Sequence, residues 1–485
     1  MLKELLQINS QINYVGLSGI IESKFYHVVF IAMEMKYKAF AIFENGDHVE
    51  IKDSKGKTAK YSFFDYNGKR YVINTQDHLW FQGNIVNAVN AEGIKNFLEN
   101  KMKEPNIVYD AIKTKISNYY DFINLNELDI VVCHIIHSYL LGLLGKTFYL
   151  LLDGERNTGK STLQNLMAKL HYHGCFGGKS SIASIVRKIH YLRASVNLDE
   201  FEKLDKDEKS VMTGILNTGA YASGTKEIVN LDNKGSSNQI QIFRTFGTKT
   251  FSVNKASFDE SFISRAILIN TVRNTKKVKS IYALTEDERS SFQNLTNDIF
   301  CICLKYGREI IKEIECKQLR LEDKGVYGRR SDILAIICGI KSYFTIDDAD
   351  LFEYLISKEE LDEEDCTDND RLYHALKYLS NLLKNSEEHI LEFSNEDLRN
   401  FVIQGLEIDV FDQYAPTAKS IGSLLKRSKL ICDKKDRKRR GGKGNTLYLI
   451  PRERIRDIIE RSGFKDLIGS IAETKFTSSQ SLLIQ

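Results

Sequence analysis

A parallel α/β core, preceded by a strand-rich region and followed by a helical C-terminal third, is the fold class this sequence predicts, and three observations predict it. An apolar run at residues 148–152 breaks into a glycine-rich turn and resumes with Leu163, Leu166, Met167 and Leu170 at helical spacing. Strand and helix signals then alternate to about residue 271, as they do where strands are joined by crossover helices. A chain of 485 residues is too long for one compact domain, and 42% hydrophobic with 27% charged residues is ordinary globular composition.

The bulk numbers also exclude. A net charge of +3 does not attract phosphate strongly, so nucleic-acid binding must rest on local clusters. The eight cysteines form no C-x-x-C pair, and only Cys301 and Cys303 lie close together, which argues against a zinc knuckle or disulfide framework and for free thiols in a reducing cytoplasm. The opening MLKELLQINSQINY lacks the continuous apolar core of a signal peptide. The stretch DIVVCHIIHSYLLGLLGKTFYLLLDG holds His134, His137 and a break at Gly145 and Lys146, so it reads as a buried helix and a core strand rather than a membrane span.

Residues 1–95 read as a small β-rich domain. Short β-branched or aromatic runs fall at 28–33, 39–43, 48–52, 60–64 and 70–73, with turns at Asn45-Gly46 and Asn67-Gly68. Lys57, Lys60, Tyr61, Phe63, Phe64, Tyr66, Lys69, Arg70 and Tyr71 form a basic and aromatic stripe, either the core and rim of a hairpin or a platform for single-stranded nucleic acid. From residue 96 to 145 the pattern is helical.

The central motifs follow in order. Gly154 to Ser161 fits G-x-x-x-x-G-K-[ST], in which loop N–H groups cradle phosphates and the lysine reaches the β/γ oxygens. Gly154, Asn157, Thr158, Gly159, Lys160, Ser161 and Thr162 would contact the nucleotide, with the following helix adding its N-terminal donors. The strand 194–198 ends in Asp199-Glu200, a carboxylate pair suited to holding Mg²⁺ with Ser161 (Asp199) and polarising the attacking water (Glu200). The strand 248–253 ends in Asn254, a strand cap or a group that orients that water. Arg265 precedes a further apolar strand and is either a surface ion-pair partner or a cation for a neighbouring subunit's nucleotide.

In this order the motifs resemble Walker A, Walker B, sensor 1 and the arginine finger of an AAA+ ATPase. The Ser264-Arg265 placement and the long insertion before sensor 1 are similar to MCM-like and superfamily 3 helicases, and the layout resembles the self-loading MCM-like Rep or Cch helicases of staphylococcal pathogenicity islands and cassette elements. The resemblance covers about residues 130–275 most firmly and implies a hexameric ring that hydrolyses ATP between subunits and unwinds DNA, with a replication-initiator role on a mobile genetic element. It places a sensor 2 arginine at Arg329 or Arg330, at the start of a helical lid. Within the insertion, after a helix at 206–216, strand-like runs at 227–231 and 239–243 flank turn residues and predict a β-hairpin tipped by Lys234. The resemblance makes that tip a contact to single-stranded DNA in the ring channel; otherwise Lys234 solubilises a sheet edge.

The C-terminal third carries an acidic run, SKEELDEEDCTDND, read as a solvated helix end and linker. Helices at 371–383, 395–404 and 417–428, a strand at 430–432, the loop DKKDRKRRGGKGN and a strand at 446–450 then predict a winged helix for duplex origin DNA. Between Thr417 and Lys465 sixteen basic residues stand against five acidic ones. Lys426, Arg427, Lys434, Lys435, Arg437, Lys438, Arg439, Arg440 and Lys443 are the expected DNA contacts. The expected organisation is therefore a β-rich domain (1–95), helical connector (96–145), AAA+ P-loop ATPase core (146–275), helical lid (276–345), acidic linker (346–370), winged helix (371–461) and tail (462–485). ATP and Mg²⁺ are the expected cofactors, DNA and further copies of the chain the partners. A DnaA-like ATP switch that binds an origin without translocating shares most of these features, and a DNA-binding regulator with a vestigial ATPase shares some.

Overall fold

The computed structural model describes residues 12–33, 36–53, 62–73, 88–122, 124–154, 157–177, 181–199, 206–229, 240–253, 260–271, 278–364, 367–386, 388–406, 421–422, 424–425, 430, 437–439, 446–461 and 467. The chain divides into two compact units, one running to Tyr354 and the other from Leu355.

The first unit opens with two four-stranded sheets. Strands β2 (Ser18–Ile21), β3 (Lys24–Met33), β4 (Lys36–Phe43) and β5 (His48–Glu50) form an antiparallel meander. Strands β1 (Ile12–Val15), β6 (Lys52–Asp53), β7 (Ser62–Tyr66) and β8 (Lys69–Ile73) form the second, in the order β1-β8-β7-β6 with β1 parallel to β8. Asn67 and Gly68 both take positive φ, 48° and 76°, as a two-residue turn matching strand twist requires. Residues 25–30 of β3 are buried on both faces. On one face Tyr26 meets Phe64, while Phe43 stacks on Tyr66 with centroids 4.2 Å apart; on the other, His27 packs against Tyr172 and Phe300. Burial on both sides removes the alternation an exposed sheet would show. The described aromatics of the stripe are thereby accounted for: Phe64, Tyr66 and Tyr71 are core, and Phe63 lies under the Arg70 guanidinium at 4.3 Å. Lys57, Lys60 and Tyr61 lie outside the described residues.

Helices Ala91–Leu98, Pro105–Ser117 and Leu125–His137 follow. The last is buried from Glu127 onward, the expected buried helix before a core strand. Among the described residues no helix is long and apolar enough to cross a membrane.

The centre of the unit is a five-stranded sheet whose strands are all parallel: β9 (Tyr149–Asp153), β10 (Cys175–Gly177), β11 (Val196–Leu198), β14 (Lys249–Val253) and β15 (Ala266–Asn270), in the order β10-β11-β14-β9-β15. Helices Lys160–Ala168, Ile182–Leu192 and Lys206–Thr218 lie on the crossovers. Leu163, Leu166, Met167 and Leu170, at the spacings of the first crossover helix, are fully buried. Strands β12 (Thr225–Val229) and β13 (Ile240–Arg244) form the expected antiparallel hairpin. A helix of 38 residues, Glu286–Asp323, opens on a reciprocal capping box of Thr285 and Glu288, and Gly328–Thr345 packs back on it.

The second unit contains a three-stranded antiparallel sheet in the order β16-β18-β17, formed by β16 (Ile390–Ser394), β17 (Arg437–Arg439) and β18 (Thr446–Pro451), with helices Thr367–Asn385, Asn395–Gly405 and Arg452–Arg461. Leu376, Leu398, Val402, Ile421, Leu425, Tyr448 and Ile455 share its core. Two expectations change here. The acidic run is helical over much of its length, as Ala349–Glu364 and Thr367–Asn385. The first strand of the basic hairpin is β17, inside the predicted loop, while Leu430 sits at a bend. Pairing of Arg437 with Tyr448 and Arg439 with Thr446 shortens the connection to residues 440–445. The third predicted helix is described only at residues 421–422 and 424–425, which are helical.

Candidate nucleotide-binding site

The carboxyl ends of parallel strands are where open α/β sheets present ligand crevices. Asp153 ends β9 there, with Thr271 just beyond β15 and Asp199 just beyond β11. Gly154 leaves β9 so close to β15 that a Cβ on it would lie 2.3 Å from both the carbonyl oxygen and Oγ1 of Thr271, so only glycine fits. The Thr271 hydroxyl donates to the Asp153 carbonyl at 2.7 Å and meets Thr158 Oγ1 at 2.9 Å, tying β15 to both ends of the turn. Asn157 and Gly159 take φ of 66° and 86°, and the Lys160–Ala168 helix begins directly after them. This succession turns backbone N–H groups toward one concavity at a helix N-terminus, an arrangement suited to phosphate oxygens. Lys160 Nζ donates to the Gly154 carbonyl at 2.5 Å, which puts the ammonium inside the turn. Thr162 follows, half-buried, in the helix.

Beside the lysine, Ser161 Oγ donates to Asp199 Oδ2 at 2.5 Å. Ser252, from β14, donates to the other oxygen of the same carboxylate. A hydroxyl and a carboxylate held side by side are hard oxygen donors of the type Mg²⁺ accepts, so these residues fit that ion. The buried side-chain amide of Gln164 donates to the Leu198 carbonyl at 2.8 Å, locking the helix against the strand that carries Asp199. The structure thus joins Lys160, Ser161 and Asp199 as the spacing implied. Glu200 and Asn254 lie outside the described residues, as do Lys234, Lys426, Arg427, Lys434, Lys435, Arg440 and Lys443; Arg437, Lys438 and Arg439 are placed by their backbone, in β17.

Three residues of this site were not singled out from the sequence. Ser252 and Thr271 look like ordinary β-strand hydroxyls until the register puts them beside Asp199 and Asp153. Tyr120, between two helices, stands over the turn: its hydroxyl donates to the Thr158 carbonyl at 3.4 Å, and its ring lies 3.0 Å from where a Cβ on Gly159 would be.

The three arginines expected in catalysis gather at the other end of the sheet. Arg265 immediately precedes β15, whose first residue pairs with Tyr149, at the start of β9. Arg265 is only 7% exposed, and its charge partly offsets the rise that burial imposes on the Tyr149 hydroxyl. Arg330 donates to the Ala266 carbonyl at 3.1 Å, and Arg329 to the Tyr221 hydroxyl at 3.1 Å and to Ser264 Oγ. Five residues of strand, roughly 16 Å, separate this end from the glycine turn. Neither candidate sensor 2 arginine therefore reaches the turn of its own chain, because the helix that starts at Gly328 docks on the amino end of β15.

No family profile matches the sequence, and no curated protein matches it. Among solved structures, the apo A form of the NrS-1 C-terminal region matches 93% of this chain and 98% of its own at 12% identity and a TM-score of 0.31. A small-molecule complex of JCV helicase matches 56% of this chain and 72% of its own at 15% identity and a TM-score of 0.20. An inhibitor-bound JCV helicase matches 51% and 76% at 15% identity and a TM-score of 0.21. Likenesses of this degree assign neither family nor residue role.

Proposed function

We propose that this protein is an ATP-driven DNA helicase, active as a hexameric ring of copies, with a replication-initiator role on a mobile genetic element. The observation that carries the reading is the convergence of Lys160, Ser161 and Asp199 at the carboxyl ends of β9 and β11. Lys160 neutralises phosphate charge while the turn's N–H groups orient the phosphates. Ser161 and Asp199 would hold magnesium, which supplies further neutralisation of developing charge at the phosphates. Glu200 polarises the attacking water and Asn254 positions it. Arg265, with Arg329 or Arg330, serves the nucleotide of a neighbouring copy, a role supported by their gathering away from their own chain's turn. Lys234 at the hairpin tip contacts single-stranded DNA, and the C-terminal unit, read as a winged helix, binds duplex origin DNA through the basic residues of 426–443.

The hairpin of β12 and β13 favours a translocating motor over a DnaA-like switch, which needs no such hairpin. Strand displacement on a forked DNA with ATP tests the choice. Wild type should separate the strands, and Lys160→Ala should abolish both hydrolysis and displacement, a loss on the order of a hundredfold or more. Hydrolysis and origin binding without displacement would instead establish the switch.

A further inference from the structure

A second basic site lies at the amino ends of the strands. A cavity of about 530 Å³ opens between β1, the Ile182–Leu192 helix and the root of the β12–β13 hairpin. Arg193, His190, Arg244 and Tyr14 are among the residues that line it, and none of the described lining residues is acidic. Arg193 ends its helix in the left-handed region at φ 48°, where a non-glycine residue is uncommon. The turn directs its guanidinium toward the N-terminal strands, and Nη1 donates to Ser18 Oγ at 2.7 Å. Arg244 arrives from β13. The two cations meet at Gly16: a Cβ there would lie 2.8 Å from Arg193 Nη2 and 3.4 Å from Arg244 Nη1.

Like charges brought together from elements some fifty residues apart repel unless an anion sits between them. Among the described residues no carboxylate pairs with either arginine. Burial, and after it the neighbouring Tyr26, Tyr172 and Arg244, acts on Arg193, with the net effect of lowering its proton affinity. The Arg244 backbone N–H donates to His190 Nδ1 at 2.9 Å, so the neutral imidazole carries its proton on Nε2 and is a further donor. At the rim Tyr14 leaves 76% of its surface in solvent. Two guanidiniums and an exposed ring are the elements by which single-strand binders hold one phosphate and one base.

We infer that this cavity binds a nucleoside-phosphate unit of a single-stranded nucleic acid, with Arg193 and Arg244 on the phosphate and the base against Tyr14. A strand is favoured over a free nucleotide because Tyr14 and Arg244 are both exposed at the rim, where a polymer can continue past the cavity. It is separate from the glycine turn, at the opposite end of the same sheet. The inference deepens the helicase reading by naming where a strand is held, but its own test needs no ATP.

The test is anisotropy of dye-labelled oligo(dT) with the full-length chain across a salt series. Arg244→Ala and Tyr14→Ala, both at exposed side chains, should each weaken binding by about tenfold. Arg244→Ala should also lower the salt slope by about 0.7, the loss of one phosphate contact on a single strand. If wild type binds the oligomer and both variants match it in affinity and slope, the assignment of this cavity is overturned while the helicase reading stands. If wild type binds no oligomer, the assignment falls, and strand displacement decides the helicase reading separately. Unlabelled dTMP provides the remaining arm: no competition at a matched nucleotide concentration supports a strand as the ligand, whereas displacement by dTMP lost in Arg244→Ala overturns the strand and leaves a free-nucleotide site.

Discussion

At the carboxyl ends of β9, β11 and β14 the side chains are short oxygens around one lysine, Ser161, Asp199 and Ser252 beside Lys160, whereas at the amino ends of β14 and β15 they are long basic groups, Lys249, Arg265 and Arg330. The difference is also one of partners. Lys249 is 1% exposed and donates to the carbonyls of Thr245 and Gly247, each at 2.9 Å, with its Nζ 4.8 Å from the Tyr149 ring centroid. Arg330 likewise caps a carbonyl, that of Ala266. The carboxyl end instead pairs hydroxyls with a carboxylate, a cluster that a divalent cation and a phosphate would complete rather than disrupt. Along β14 and β15 the carboxyl end is therefore prepared for a ligand, whereas the amino end is capped by the chain's own carbonyls, and the cavity of Arg193 and Arg244 is lined by other residues. Arg265 stands between these descriptions, a cation of the closed end that the proposed mechanism assigns to another subunit.

That tension yields the largest expected effect. If Arg265 serves a neighbouring copy's nucleotide, Arg265→Ala should lower ATP hydrolysis by about a thousandfold or more. Mixing it with Lys160→Ala should then restore part of the activity, because some interfaces in a mixed ring pair an intact lysine with an intact arginine. If Arg265 is only a structural cation of its own chain, the variant should melt at lower temperature, and no mixture should regain hydrolysis. Thermal melting and hydrolysis of the two variants, alone and mixed at equal concentration, separate these outcomes.

The closed end should also declare itself in the pH dependence of stability. Burial lowers the Lys249 ammonium from its ordinary value to about 7. Between about pH 7 and 10.5 the unfolded chain therefore holds a proton that the folded chain lacks, so stability rises with pH there by up to about 1.4 kcal/mol per unit. Lys249→Met should remove that rise, read as the urea midpoint at pH 7, 8 and 9. The buried imidazoles act in the same direction at lower pH. His27, His137 and His171 are each held down to about 3, chiefly by burial. Their contribution is fully present above about pH 6.5 and is lost as pH falls from there toward 3. A midpoint that stayed flat from pH 7 to 5 in wild type would show that these rings are not buried as neutral bases.

The contrast between the ends also separates what the sequence made legible from what it did not. The elements around the glycine turn were readable because β9 and β15 are compact apolar runs that stop at a polar residue, and because Lys160, Ser161 and Asp199 act close to where the chain changes direction. Ser252 was not readable: within TKTFSV it differs in no way from a solvent-facing strand hydroxyl, and only the pairing of Leu198 with Phe251 brings it beside Asp199. Arg193 and Arg244 come from a helix end and a hairpin strand, and no spacing rule relates them. Among the strands, β16 was missed because Ile390–Ser394 is a run of only five residues, opening and closing on exposed or half-exposed positions between two helices, and β1 because its partner β8 is parallel and far away in sequence. Local signals reported what the chain does at turns; contacts made through the sheet needed the fold.

Ser252 offers the smallest and sharpest effect, because its hydroxyl touches Asp199 and is not itself expected to contact the nucleotide. Ser252→Ala removes one of the two hydroxyls that fix the carboxylate and leaves the bond from Ser161. Loss of a group that orients a metal-holding carboxylate costs about tenfold in metal affinity or activity. The Mg²⁺ concentration for half-maximal hydrolysis should therefore rise about tenfold, with kcat at saturating Mg²⁺ close to wild type. Thr271→Val is the matched comparison: the same end of the sheet and again one hydroxyl, but one that braces Asp153 and Thr158 instead of Asp199. It should raise KM for ATP and leave the Mg²⁺ dependence where it was. If Ser252→Ala lowered kcat without moving the Mg²⁺ requirement, Asp199 would be acting on something other than the metal, and the division of labour at the carboxyl end would need to be redrawn around its direct contact with the nucleotide.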